Sequence, residues 1–177
     1  MKNFSRWGAA VLTLTTALAQ TSASADPPAS GPCTAGSFRE FDFWAGEWDV
    51  HDANGRLAGR NHVSIEGLGC VVVERWRASN GSTGESLNYY DPAARRWKQR
   101  WAGLALLIEM DGGLQADAMV LEGPMQYLGQ NRTTILRGTW TKLPDGRVRQ
   151  QFVESDDGGK TWKPWFDGYY TRVRDKG

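Results

Sequence analysis

The chain contains few of the residues from which metal centres and nucleophilic active sites are built. It has only two histidines and two cysteines among its 177 residues. Both histidines, His51 and His62, fall on faces of predicted strands that point to solvent, whereas a metal or haem site needs clustered ligands. There is also no GxSxG motif and no glycine-rich phosphate loop. We therefore expect neither a bound metal nor a cofactor.

Massed positive charge and long apolar runs are also absent. The formal net charge is +1, and the 21 basic residues are scattered among 20 acidic ones. Nothing in this distribution attracts nucleic acid or an anionic membrane. The apolar run at residues 8–19 is too short, and too interrupted by threonine, to span a membrane. We expect no nucleic-acid partner and no stable membrane anchor.

The first residues have the pattern of a secretory signal peptide. Lys2 and Arg6 precede the apolar run, and the small residues 23–25 (ASA) form a cleavage site after Ala25. We predict that residues 1–25 are removed and that the protein is periplasmic or secreted. Residues 26–37 are rich in proline, serine and glycine, which predicts a flexible arm. The remainder, residues 38–177, has the length of one domain.

The two cysteines predict a disulfide bond. In an exported chain a single pair of cysteines, here Cys33 and Cys70, is most simply joined. Such a bond would tie the arm to the start of the third predicted strand, with Cys70 facing inward. In the chain-entropy model it would stabilise the fold by about 3–4 kcal/mol.

Short alternating segments separated by turn residues fill the rest of the chain. From residue 47 onward, no segment has a convincing helical period. Residues 38–44 predict one or two helical turns, and strands follow from residue 47 onward. Glycine and proline predict a turn at residues 111–113 and a strand boundary at residues 123–124. Because every connection is short, the pattern favours an all-β, up-and-down antiparallel barrel of about eight to ten strands.

Alternation within the strands predicts which side chains point inward. In residues 96–101, Trp97, Gln99 and Trp101 alternate with three cations, which belong in water. The inward faces combine aromatic rings with polar groups, as ligand sites do. The predicted ligand-binding residues are Glu74, Trp76, Asn88, Tyr90, Trp97, Gln99, Trp101 and Gln150. The alternative is a closed interior in which these polar groups only satisfy one another.

Two functions remain open at this point. The first is binding of a small hydrophobic or aromatic molecule in an internal pocket. The second is catalysis without a cofactor, by an isomerase, lyase or hydrolase. Glu74 would then be the general acid or base, because burial raises the pKa of a carboxyl group. Tyr90 or Tyr170 would stabilise an oxyanion.

Three motifs resemble those of a known protein family. They are residues 41–50 (FDFWAGEWDV), 86–92 (SLNYYDP) and 166–170 (FDGYY). Together they resemble an uncharacterised family of exported bacterial proteins, a domain of unknown function whose fold is a lipocalin-like, calycin-type β-barrel. The resemblance spans residues 38–174 and implies fold and export, without an activity. One departure is the apolar character of residues 102–109, which implies an altered pocket mouth.

The resemblance also implies a contact that closes the barrel. In lipocalin-type barrels the tryptophan of the opening GxW triplet, here Trp48, packs beneath an arginine of a late strand. Arg172 shares a face with Phe166 and Tyr170 on the last predicted strand. We therefore predict that the Arg172 guanidinium lies within about 6 Å of the Trp48 ring.

Overall fold

The computed structural model describes residues 31–173, which form a closed barrel of antiparallel strands. Each strand pairs with its neighbours along the chain and the last pairs with the first, which confirms the predicted up-and-down topology. The predicted signal peptide, the first residues of the arm (26–30) and residues 174–177 lie outside the described part. The strands are β1 (Gly46–Asp52), β2 (Leu57–Glu66), β3 (Val71–Ala78), β4 (Thr83–Asp91), β5 (Arg96–Gly103), β6 (Leu106–Gln115), β7 (Ala118–Tyr127), β8 (Arg132–Lys142), β9 (Val148–Ser155) and β10 (Lys163–Arg172).

The predicted inward and outward faces agree with the burial of the side chains. On β5, Trp97 and Gln99 are 1% and 3% exposed, while Lys98 lies within 3.3 Å of Asp91 on the outside. Along β8, buried and partly exposed residues alternate from Thr134 to Thr141. The period of two therefore sorts side chains between the interior and the solvent as expected for a half-buried strand.

One end of the barrel is plugged by the segment before β1, and we call it the plugged end. This segment forms two short 3₁₀ turns, Gly36–Arg39 and Asp42–Trp44, which confirm the predicted helical turns. Phe41 and Trp44 are fully buried and stack with their ring centres 4.9 Å apart. Phe41 also meets the Trp97 and Trp140 rings edge to face, at 5.6 and 5.3 Å. Aromatic side chains bury a large area, so this segment closes one end of the core.

The plug is fastened by a disulfide bond. Cys33 and Cys70 are bonded, with 4.9 Å between their Cα atoms, as predicted. Cys70 follows a third 3₁₀ turn (Gly67–Gly69), one residue before β3, so it lies outside the strand in which the sequence placed it. Arg39 reinforces the link, because its Nη1 donates to the carbonyl oxygens of Cys33 and Gly69, both at 3.0 Å. Within residues 31–173 no helix is long and apolar enough to cross a membrane.

The first and last strands close the barrel through Trp48 and Arg172. The two residues are register partners, and the guanidinium lies 4.4 Å from the Trp48 ring centre, which confirms the predicted contact. Arg172 Nη2 also donates to the Ala45 carbonyl oxygen at 3.1 Å. Gly46 makes room for this arrangement, because a Cβ atom there would lie 2.3 Å from Arg172 Nη1. Closure leaves no unpaired strand edge in the barrel.

Two predicted strand boundaries are wrong. Gly112 lies inside β6, and Gly123 and Pro124 lie inside β7. A Cβ atom at Gly112 would come within 2.0 Å of the Val120 carbonyl oxygen, and one at Gly123 within 2.0 Å of the Glu109 carbonyl oxygen. These glycines allow two strands to approach closely, which is a second use of glycine beside turn formation.

Candidate functional site

A cavity of about 100 Å³ occupies the end of the barrel opposite the plug, which we call the open end. Most of its wall is aromatic: Trp76, Trp101, Phe152, Trp165, Phe166 and Tyr170. The other lining residues are Glu74, Gln99, Gln150, Leu104 and Ile108. An aromatic wall with a few fixed polar groups is the usual composition of a small-molecule site.

The exposure of the aromatic rings distinguishes the two ends. At the plugged end Phe41, Trp44 and Trp97 are at most 1% exposed. Trp76, Trp101, Phe152, Trp165 and Phe166 pack against the same core from the open end, but each is only partly buried. Because these rings line the cavity, solvent reaches them through the mouth of the barrel. The cavity is therefore accessible from outside.

The wall rings rest on glycines of the strands. A Cβ atom at Gly84 would lie 2.2 Å from Trp101 Cζ2, and one at Gly59 would lie 2.7 Å from Trp76 Cζ2. Cβ atoms at Gly138 and Gly168 would likewise lie 2.4 Å from Phe152 Cε1 and 2.5 Å from Phe166 Cε1. No other residue type leaves space for a ring flat against the backbone. The glycines thus allow each ring to pack directly against the backbone of a strand.

A bulge in β10 brings two consecutive rings into the cavity. Residues i and i+1 of a regular strand point to opposite faces. The β9–β10 register shifts between Pro164 and Phe166, so Trp165 is the extra residue and lines the cavity beside Phe166. Trp165 Nε1 donates to the Tyr127 hydroxyl at 3.2 Å, and that hydroxyl donates to Glu154 Oε1 at 2.7 Å. These hydrogen bonds fix the orientation of the additional ring.

The mouth of the cavity includes a strained turn. Leu104 and Ala105 connect β5 to β6 with φ values of 54° and 58°. Such left-handed pairs are normally Asn-Gly or Asp-Gly, because a Cβ atom is disfavoured there. Leu104 is 37% exposed and lines the cavity, so its side chain lies at the entrance. It belongs to the apolar segment (102–109) that predicted a changed mouth.

A hydrogen-bonded network lies behind the aromatic wall. Glu74 on β3 is 4% exposed, and its carboxylate oxygens accept from Asn61 Nδ2 and Ser86 Oγ, each at 2.7 Å. Asn88 Nδ2 donates to Ser86 Oγ at 2.9 Å. Gln99 Nε2 donates to Asn88 Oδ1 at 2.6 Å. Four strands, β2 to β5, are joined in this way.

A second branch reaches the opposite wall. Tyr170 on β10 donates its hydroxyl hydrogen to Gln150 Oε1 on β9. Asn61 Nδ2 lies 3.4 Å from the Tyr170 hydroxyl oxygen and connects this pair to Glu74. Gln99 donates one amide N–H and Gln150 accepts with its carbonyl oxygen, while Gln99 Oε1 and Gln150 Nε2 have no hydrogen-bond partner within residues 31–173 and are available to a molecule in the cavity.

Burial perturbs both titratable groups of the network. Loss of water raises the pKa of Glu74 to about 7, and the hydrogen bonds from Ser86 and Asn61 offset only part of that effect. Burial, together with the nearby Glu74 carboxyl group, raises the pKa of Tyr170 well above its usual value. Within residues 31–173 no cationic side chain contributes to the pKa of Glu74. A buried carboxylate without a cationic partner is unusual.

Five of the eight predicted ligand-binding residues line the cavity. They are Glu74, Trp76, Gln99, Trp101 and Gln150. Asn88 is completely buried behind the wall and supports Gln99 and Ser86. Asn88 therefore supports a lining residue and does not itself line the cavity.

Tyr90 and Trp97 lie at the plugged end. Tyr90 packs edge to face on Phe38 at 5.3 Å, and Trp97 Nε1 donates to the Ser37 carbonyl oxygen at 3.1 Å. Tyr90 is four residues from Ser86 along β4, which corresponds to roughly 13 Å. The structure therefore does not bring Tyr90 to the cavity with Glu74. Tyr170, the other tyrosine considered for an oxyanion, does line it.

Several residues of the site are absent from the predicted ligand-binding set. Asn61, Phe152 and Phe166 alternate with outward residues in their strands, so the period of two was a signal that could have found them. Trp165 had no such signal, because the regular period places it outside. No group of three or more histidine, cysteine, aspartate or glutamate residues within the described range could hold a metal ion.

No protein-family model matches the chain, and no curated protein matches it. Membership of the exported barrel family suggested by the three sequence motifs therefore stays a prediction. The function must be inferred from the geometry and chemistry of the cavity.

Proposed function

We propose that this protein is an exported β-barrel that binds a small, largely apolar or aromatic molecule in the cavity at its open end. The observation that supports this most directly is the contrast between the two ends. The inward faces of the strands are covered by a fully buried aromatic plug at one end and carry partly exposed rings around a cavity at the other. A barrel without a ligand would have no need for an unfilled aromatic end.

The polar groups of the cavity suit recognition of one ligand. Gln99 Oε1 accepts and Gln150 Nε2 donates, and both are held by hydrogen bonds to neighbours on other strands. The Trp101 indole N–H is buried without a partner among the described residues. A small number of directional polar groups on a rigid apolar wall gives specificity at a low cost in conformational entropy.

Export is supported by two independent features. The disulfide bond between Cys33 and Cys70 is typical of oxidising compartments. Residues 1–25 have the charge, the apolar run and the cleavage site of a signal peptide. We infer that the protein acts in the periplasm or outside the cell, as the resemblance to the exported lipocalin-like family implies.

The proposal is tested by titrating the protein with a panel of hydrophobic and aromatic metabolites while following tryptophan fluorescence. Three of the lining residues are tryptophans, so a bound ligand should give a saturable change. Ile108→Phe should abolish the change by filling the cavity, because Ile108 is 4% exposed and lines it. Leu107→Phe, one residue away and 39% exposed, is the matched control. If no compound gives saturable, Ile108→Phe-sensitive binding, the barrel has only a structural role.

A second candidate function is catalysis by Glu74 without a cofactor. The observation that favours it is a buried carboxyl group on the cavity wall whose pKa of about 7 suits proton transfer near neutral pH. Glu74→Gln separates the candidates once a neutral ligand is known. A binding protein should keep its affinity for that ligand, whereas an enzyme should bind it and lose turnover.

A further inference from the structure

The Glu74 carboxylate is the acidic group in a cavity whose lining contains no arginine, lysine or histidine. Its two hydrogen-bond donors, Asn61 and Ser86, are neutral. The other titratable group on the wall, Tyr170, is neutral as well, because burial raises its pKa well above the usual value. Buried carboxylates are normally paired with a cation. Here the described residues leave that position open on the side of the cavity.

The cations near this part of the barrel lie on its outer surface. Arg75 and Arg77 neighbour Glu74 on β3, but both are exposed on the opposite face. Arg75 is bonded outside to Glu66 at 3.0 Å. On β5, two strands away, Arg100 is paired with Asp111 at 3.2 Å. The arginines are thus engaged or directed to solvent, and the position facing Glu74 is left to a ligand.

The aromatic wall favours positive charge for a separate reason. The face of an aromatic ring is electron-rich and attracts cations, most strongly when the site is desolvated. The rings form a continuous series: Trp76 meets Phe166 edge to face with centres 6.5 Å apart, and tilted contacts follow from Phe166 to Phe152 at 6.2 Å and from Phe152 to Trp165 at 5.8 Å. The aromatic rings therefore surround the cavity beside the Glu74 carboxylate.

The size of the cavity limits the group that can enter. Its volume of about 100 Å³ compares with about 30 Å³ for a water molecule in the liquid and about 150 Å³ for a cavity that holds benzene. A compact group of four or so non-hydrogen atoms fits, and the rest of a ligand would extend past Leu104. A methylated ammonium group has this shape and carries its charge on an apolar surface.

We propose that the cavity binds the methylated ammonium group of a small organic cation, with Glu74 as its counter-ion and the surrounding rings as an aromatic cage. This inference rests on the proposed binding function and names the chemical class of the ligand. An anionic ligand is disfavoured because it would meet the Glu74 carboxylate without a compensating cation. A neutral ligand would gain nothing from the charge on Glu74.

The inference is tested by comparing choline with 3,3-dimethylbutanol, which has the same shape without the charge. Calorimetric titration at pH 8 should show choline binding at least about tenfold more tightly. Glu74→Gln should remove most of that preference while leaving the affinity for the alcohol within about twofold. Glu85→Gln, which removes an exposed carboxylate from the outer face of β4, should change neither affinity.

A second measurement needs no variant. The ionised fraction of a carboxyl group with a pKa of about 7 rises from about a tenth at pH 6 to about nine-tenths at pH 8. Choline affinity should therefore increase about tenfold over this range. Binding at pH 6 should release a proton to the buffer, so the measured heat of binding should differ between buffers. The affinity for the alcohol should not increase.

The outcomes separate this inference from the proposed function. Equal affinities for choline and the alcohol, or a choline affinity independent of pH, would overturn the cation inference and leave the binding function intact. Failure of both probes while a neutral metabolite binds in an Ile108→Phe-sensitive way would do the same. If no probe of any charge binds, both proposals are wrong.

Discussion

Replacing Glu74 by glutamine should flatten the dependence of stability on pH. Burial raises the pKa of this carboxyl group from 4.5 to about 7 in the folded protein. The folded state therefore binds the proton more tightly than the unfolded state, and protonation stabilises the fold. This stabilisation is fully present below pH 4.5 and is lost as the pH rises through 7. Each pKa unit corresponds to about 1.4 kcal/mol, so the total effect is about 3 kcal/mol.

The measurement is the free energy of unfolding in urea at several pH values between 5 and 8, without ligand and with the disulfide intact. Over that range the wild type should lose about 2–3 kcal/mol more than Glu74→Gln. Other titrating groups are common to both proteins and cancel in the difference. Glu85→Gln, which removes an exposed carboxylate, should run parallel to the wild type.

The variant should fold, because the interior can accept an amide at this position. Asn61 Oδ1 is buried without a partner among the described residues. Rotation of the Asn61 amide would allow this oxygen to accept a hydrogen bond from the new side-chain N–H group at residue 74. Parallel stability profiles for the wild type and Glu74→Gln would show that water or a cation stabilises the Glu74 carboxylate. Its pKa would then not be raised by burial, contrary to this prediction.

Three further predictions follow from the wall, the mouth and the closure. Gly84→Ala should displace the Trp101 ring, lower stability by about 1–3 kcal/mol and abolish ligand-dependent fluorescence, whereas Gly113→Ala, with open space around its Cβ position, should bind normally. Leu104→Gly should relieve about 1 kcal/mol of left-handed strain yet speed ligand release in stopped-flow fluorescence, and an unchanged release rate would contradict its place at the mouth. Arg172→Lys should lower the free energy of unfolding by about 1 kcal/mol, since the planar contact with the Trp48 ring is lost although the charge remains, and full stability would contradict this.

The topology could be predicted because its signals are local. A period of two and short turns are written within each ten-residue stretch, and consecutive hairpins leave little choice of strand order. The exceptions were Gly112 and Gly123, which look like turn residues in the sequence. Their reason lies in the adjacent strand, whose carbonyl oxygens would collide with a side chain. Local patterns do not contain that information.

The division of the interior between plug and cavity could not be predicted from alternation. Trp97, Gln99 and Trp101 share the inward face of β5 and are equivalent in any pattern with a period of two. Their environments differ because the segment before β1 covers Trp97 and not Trp101. Which end a segment covers depends on contacts between residues far apart in the chain. The Cys33–Cys70 bond, with a sequence separation of 37, is one of those contacts.

The bulge at Trp165 shows why one-residue irregularities matter for function. A regular β10 would place Trp165 in solvent and leave Phe166 as the aromatic contribution of this strand to the mouth. The extra residue rotates the preceding part of the strand, and the Trp165 indole then reaches the Tyr127 hydroxyl group on β7. Bulges are enriched beside functional sites because they redirect a side chain without changing the topology. The bulge adds a ring to the wall next to Phe152 and Phe166, where a ligand would enter. Its position therefore supports the open end, rather than the plugged end, as the site on which function depends.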